Sequence, residues 1–148
     1  MQNLINLYIN SGQEDKAVEY LDLAIEREPN VGQYYNSKGS ILARIGRFEE
    51  SFKAFEQAIA IEPNNALFLE TLGFAYVDLG NKLNDEAAYY DAKEYAKAKV
   101  EIDKAFQNAL PYFEKAYELE PTNYDYKRSL RSLYYRLGMN DKYEALAD

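Results

Sequence analysis

The chain has 148 residues, 47% of them hydrophobic, with no Cys, His or Trp, and 17 Lys+Arg against 25 Asp+Glu give a net charge of -8. That length is one domain's worth and enough to bury a core, while the missing cysteines and histidines exclude disulfides, thiolate metal sites, a thiol nucleophile and the usual base near neutral pH. The acidic balance, with the Lys/Arg residues read as interleaved with acids, sets the expectation of no nucleic-acid partner, and the lack of a long apolar run that of no direct membrane insertion.

In chain order every segment reads as helical, because apolar residues recur at three and four and never alternate. Residues 3–11 make a first helix, ended by Ser11-Gly12. Met1 falls a few residues inside that helix by the repeat phase, so the chain is expected to be a fragment. Met1-Gln2-Asn3-Leu4 has neither the basic nor the apolar region of a signal peptide, and the compartment stays open. Residues 14–27 make the second helix, with Ala17, Leu21, Ala24 and Ile25 on one face. Glu28-Pro29-Asn30 stops it, since Pro29 cannot donate to the helical ladder and pushes Glu28 out of helical geometry. Residues 32–45 and 48–61 repeat the pattern, turning at Gly46 and stopping at Glu62-Pro63. Residues 66–79 open a third pair; residues 124–137 and 140–147 form a fourth, joined at Gly138-Met139-Asn140.

The chain repeats itself. Pro29 and Pro63, Ala24 and Ala58, Gly12 and Gly46, and Gly39 and Gly73 each lie 34 residues apart. Beyond Gly80 one constant offset of 58 relates Leu72 to Leu130, Tyr76 to Tyr134, Gly80 to Gly138, Phe55 to Phe113 and Pro63 to Pro121, so the third unit carries an insertion of 24 residues. A period near ~34 is the mark of stacked helix–turn–helix units. A single domain is expected, with units of about 1–31, 32–65, 66–123 and 124–148. Small residues at 17, 24, 58, 109 and 116 let helices approach, and Leu21, Phe55 and Phe113 fill the gaps.

These positions resemble the tetratricopeptide repeat. In the second unit the family pattern falls on Tyr35, Lys38, Gly39 and Leu42, then Ser51, Phe55, Ala58 and Pro63. In the third it falls on Leu69, Leu72, Gly73 and Tyr76, then Ala109, Phe113, Ala116 and Pro121. Unit one matches through Tyr8, Ala17, Leu21, Ala24 and Pro29, and unit four through Leu130, Tyr134 and Tyr143. Lys38 at an apolar position and Arg131 at a small one depart from it. The resemblance implies an all-α, right-handed α-solenoid of antiparallel helix pairs with a concave groove lined by the first helix of each pair.

The segment that carries the insertion, from Asn81 to Asn108, has no Gly, Pro or Ser and so is not read as disordered. Asp91-Ala92-Lys93-Glu94 reads as a capping box, with Tyr90 and Tyr95 at the flanking staple positions. Both helices of the third pair are then lengthened, each by about 12 residues or about 18 Å, and turn near Tyr90. A rival reading turns at Asn81–Asn84 and leaves one overlong second helix; it ranks second because it exposes Ile102 and the tyrosines. Pro111 is expected to kink the second helix in either case. The hairpin tip, with Tyr89, Tyr90 and Tyr95, is either packing or a docking arm or self-association surface, which makes a homo-oligomer a possible state.

No phosphate loop, calcium loop or nucleophile motif is present, no cofactor or metal site is expected, and the chain is read as non-enzymatic. The acid pairs Glu49-Glu50 and Asp85-Glu86 are read as dipole-complementing helix starts. Carried over from the resemblance, the groove lining includes Asn6, Asn10, Asn36, Ser40, Arg44, Phe74, Asp78, Arg128, Tyr135 and Arg136, with Phe74 and Tyr135 as apolar anchors and the arginines as carboxylate partners. Of the lysine–asparagine clamp that some members use for a C-terminal carboxylate, Asn6 matches one position, while Gln2, Ser37 and Thr71 stand at the others. The expected function is a scaffold holding a peptide or helix of a partner protein; the alternative is self-assembly through the hairpin.

Overall fold

The computed structural model describes residues 2–147, with nothing said of the side chains of Gln2, Asn3, Leu4 and Asn6. Among the described residues are eight helices and no strand: α1 (Gln2–Asn10), α2 (Glu14–Arg27), α3 (Gly32–Arg44), α4 (Phe48–Ile61), α5 (Ala66–Ala87), α6 (Ala92–Leu119), α7 (Tyr124–Arg136) and α8 (Asn140–Ala145).

Local chemistry sets their ends. Glycine closes three of the turns within pairs. Gly12, Gly46 and Gly138 have φ of 69°, 79° and 68°, a left-handed cap that a Cβ would strain. The same backbone bonds recur there: Gly46 N–H donates to Ala43 O and Arg47 N–H to Leu42 O, as do Gly138 to Tyr135 and Met139 to Tyr134. Proline closes the pairs. Glu28, Glu62 and Glu120 each precede a proline and sit near φ -135°, -129° and -132°, outside helical geometry.

The third pair is lengthened as its capping box predicted. α5 runs 22 residues and α6 28. Asp91 Oδ1 accepts from the backbone N–H groups of Lys93 and Glu94 at 2.9 and 2.8 Å, and Glu94 Oε2 accepts from Asp91 N–H. The turn therefore lies at residues 88–91, and the rival turn at Asn81–Asn84 falls inside α5. Helix α6 runs through Pro111 without interruption. One expectation is corrected: Asp85 and Glu86 occupy the last turn of α5, the wrong end for a carboxylate against the helix dipole. Lys82, 3.6 Å from Glu86, offsets part of that cost. Asp91→Ala is expected to cost about 1 kcal/mol, the usual worth of an N-cap, read as faster amide hydrogen exchange at residues 93–95.

Two compact units divide at Thr71–Leu72, within α5. In the first, Ile5, Ala17, Val18, Leu21, Ile41 and Leu42 form a core cluster. Phe55 lies flat on the α3 backbone. A Cβ built at Gly39 would stand 2.9 Å from three of its ring carbons, and Ser51 Oγ donates to Gly39 O beside it at 2.7 Å. Lys38, which departs from the repeat pattern, is answered by an ion pair with Asp22.

In the second unit the core holds Ala87, Ile102, Phe106, Ala109, Phe113, Leu130, Leu133 and Tyr134. Gly80, in phase with the turn glycines, lies mid-helix in α5 against Phe106, 2.7 Å from where its Cβ would be. Arg131, the other departure, lays its guanidinium over the Tyr143 ring at 4.2 Å, a planar stack a lysine could not reproduce.

A carboxylate on α6 also holds helix α8. Glu114 Oε1 accepts from Tyr134 Oη at 2.7 Å and from Lys142 Nζ at 2.9 Å. Burial pushes the Glu114 carboxyl up, but the Lys142 and Tyr134 hydrogen bonds outweigh it and hold the group below its ordinary value. Burial, then the Glu114 hydrogen bond, raises the Tyr134 phenol. A carboxyl with a lowered folded pKa stabilises above its unfolded pKa and loses that contribution as pH falls through the folded one. The second unit should therefore lose stability below about pH 4.5, and Glu114→Gln should abolish that pH dependence at a cost of about 1 kcal/mol near neutrality, discounted for its exposure. Urea unfolding across pH 3–7 measures both.

Candidate functional site

The residues expected to line a groove separate into two groups. In the first unit they are largely occupied by their own fold. Asn36 is buried and its Oδ1 accepts from Thr71 Oγ1 at 2.6 Å, so it packs rather than faces a partner. Ser40 Oγ donates to Asn36 O one turn back, and Arg44 lies 3.7 Å from Glu14. Asn10 is exposed at the end of α1, and the Asn6 side chain lies outside the described residues.

In the second unit three of them converge. Phe74 from α5 and Arg128 and Arg136 from α7 line one hollow of about 330 Å³ with Phe106, Phe113, Ser129 and Ser132. Its floor is aromatic: Phe74 and Phe113 meet edge to face, centroids 5.1 Å apart at 83°. Phe74 remains 42% exposed although it sits in this cluster, so the floor is open to an incoming side chain. The Arg136 guanidinium rests 4.4 Å above the Phe106 ring, and Arg128 forms an exposed ion pair with Asp125 at 3.1 Å. Asp78 stays at the surface outside this lining, its carboxyl raised by desolvation from the protein around it.

Tyr135 goes elsewhere. With Tyr124, Arg128, Arg131, Tyr143 and Leu146 it lines a second hollow of about 290 Å³ on the neighbouring face of α7. Sequence reasoning missed most of these. The signal was present: from Lys127 to Arg136, α7 carries four cations and no acid, and Tyr124, Arg128, Arg131 and Tyr135 share a face at helical spacing. The reading that acids interleave every basic cluster is therefore wrong for this helix. The tip tyrosines are exposed, Tyr89 at 93%. Among the described residues there is no group of three or more acids suited to a metal ion, and no helix long and apolar enough to cross a membrane.

Comparison with known proteins fits this geometry. A TPR repeat model matches residues 39–80 and a tetratricopeptide repeat model residues 3–31. DnaJ homolog subfamily C member 7 of Mus musculus is 23% identical over 125 residues, which are 83% of this chain and 25% of that protein. The chain spans about a quarter of the length of the curated relatives it matches. Among solved structures, the human IFIT1 dimer with m7Gppp-AAAA superposes with a TM-score of 0.76 at 20% identity, over 97% of this chain and 30% of that one. The first TPR of Spaghetti (RPAP3) bound to the HSP90 peptide SRMEEVD superposes with a TM-score of 0.68 at 18% identity, over 92% and 91%. The IFIT1 complex overturns the exclusion of nucleic acid, since a protein of this fold holds a capped RNA. The physical error was to judge partners by the charge of the whole chain. A ligand meets the local field of one helix face, and that of α7 is basic. Two matched repeats, the phase shared by four helix pairs and the fold of the structural neighbours together make this chain an α-solenoid tetratricopeptide-repeat protein with a lengthened third helix pair.

Proposed function

We propose that this chain is a non-enzymatic protein-interaction scaffold that holds a peptide or helix of a partner against the first helices of its pairs. The observation that supports it is the hollow between α5, α6 and α7. An open phenylalanine floor takes an apolar side chain, two guanidiniums at the rim take a neighbouring carboxylate, and Ser129 and Ser132 offer hydroxyls to a backbone. A neighbour of the same fold is bound to a peptide, which agrees with this use of the repeat. The test is selection of a randomised peptide library on the folded chain, with the enriched sequences titrated against variants. Peptides pairing an apolar residue with an acid should emerge and bind at least tenfold more weakly to Phe74→Ala and Arg136→Glu. Enrichment indifferent to both variants, or none, rejects the hollow as the site.

Self-association through the hairpin is the second reading, favoured by Tyr89, Tyr90, Tyr95 and Val100 standing exposed near one end of the α5–α6 pair. It predicts a concentration-dependent mass in sedimentation that the Tyr89/Tyr90/Tyr95→Ala variant lacks. A monomer at every concentration removes it.

A further inference from the structure

The hollow between α7 and α8 is unlike the groove hollow in composition and in what it presents. Its walls are tyrosines, not phenylalanines. Tyr124 is 61% and Tyr135 70% exposed, a large area of ring left open to solvent. The Tyr135 and Tyr143 rings tilt together, centroids 5.5 Å apart at 51°, and Leu146 adds an aliphatic edge. Arg131 is held in place there: its guanidinium stacks on Tyr143, and its Nε donates to Tyr143 O at 3.4 Å. A cation fixed this way loses little freedom on binding, so its charge is more effective than that of a swinging side chain. Lys127 and Arg128 stand on the same wall. The hollow therefore offers fixed positive charge beside wet-edged aromatic rings, on a chain that is acidic overall.

We propose that this hollow is a second docking site, adjoining the groove hollow and sharing Arg128 and Ser132 with it, for an internal acidic segment of a partner protein in which carboxylates alternate with apolar or aromatic side chains. The carboxylates meet Arg131, Arg128 and Lys127, and the apolar side chain lies among Tyr124, Tyr135 and Leu146. Charge complementarity selects an anion, and the size of the hollow selects a short one. A nucleic-acid strand stacks on exposed tyrosines equally well, but its phosphates continue past the hollow. Asp125 at the start of α7, itself paired with Arg128, and the exposed Asp141 and Glu144 on α8 give a continuous row of phosphates no further cations to meet. A peptide places its acids only where the cations are. No free C-terminus is needed, because the hollow holds no clamp for one that differs from its side-chain cations.

The test uses the full chain and a fluorescein-labelled, C-terminally amidated peptide, Asp-Leu-Glu-Phe repeated three times, read by anisotropy. An oligoadenylate of equal length bearing a 5′-phosphate is the rival probe. Saturable peptide binding is expected, weakening with added salt. Tyr135→Ala and Arg131→Gln, each checked for an unchanged circular dichroism spectrum and melting temperature, should weaken it about tenfold or more. Phe74→Ala, which alters only the groove hollow, should leave it within about twofold. Loss in Phe74→Ala with Tyr135→Ala unaffected places the peptide in the groove, overturning this proposal while supporting the proposed function. Tighter binding of the oligonucleotide, sedimentation of the free chain as a dimer that Tyr135→Ala dissolves, or no peptide binding at all each overturns it too. The groove reading survives the first two results, because neither involves the Phe74 floor; absence of any binding counts against both sites, since the groove too is expected to hold an apolar residue beside an acid.

Discussion

Phe55→Ala is expected to destabilise the protein by about 3–5 kcal/mol, enough to consume much of a typical domain's stability. The ring is 1% exposed and lies face-down on the α3 backbone at Gly39, so nothing nearby can collapse into its place. The cost has two parts, the lost transfer of the ring from water and the cavity left between α3 and α4. The reverse change probes the same contact from the other side. Gly39→Ala gains up to about 1 kcal/mol of helix propensity but drives a methyl to 2.9 Å from a ring that cannot retreat, and overpacking of that kind costs about 1–3 kcal/mol. A net loss is expected. Urea unfolding measures both, with Tyr89→Ala as an exposed control that should move stability by no more than about 0.5 kcal/mol. A loss below about 1 kcal/mol in Phe55→Ala would mean that the pair is not the centre of its unit.

Gly80→Leu should be comparably damaging, at about 3 kcal/mol. A bare Cβ at this position would already stand 2.7 to 2.9 Å from three carbons of the Phe106 ring, itself only 2% exposed. Three further carbons force α5 and α6 apart along the lengthened pair. Because the contact is pairwise, shrinking the ring should relieve it. The double variant Gly80→Leu with Phe106→Ala should be more stable than the sum of the two single losses predicts, by at least about 1 kcal/mol. Additive losses in thermal melts would show that the two side chains do not compete for one space.

How much of this was readable in the residues depends on the range of the interaction. The helix pairs were legible because a shared phase fixes many positions at once, and the turn at residues 88–91 because its capping box is local to four residues. Asp85-Glu86 was misplaced because an acid pair reads the same at either end of a helix until the helix length is known. Asn36 looked like a groove residue by register, but its partner Thr71 lies 35 positions away and only folding brings the hydroxyl to it. Phe106 packs on Gly80, a partner that could not be named while that glycine still had the phase of a turn. Arg131 was marked as an oddity, and its answer, Tyr143, sits on the next helix. The basic face of α7 was the one feature legible locally and overlooked, through averaging charge over the chain.

The glycines of the four pairs hold a record of how the third pair came to be long. Gly12, Gly46 and Gly138 end their helices, whereas Gly80, at the matching place, is carried through α5 and serves as a seat for an aromatic ring. Removing residues 81–104 would place Ala105-Phe106 directly after Gly80, as Arg47-Phe48 follow Gly46. Removing those 24 residues would thus restore the spacing of the other pairs. Their excision should leave an ordinary repeat in which Gly80 reverts from seat to hinge, so that the spur on this protein can be gained or lost in one step without rebuilding the array.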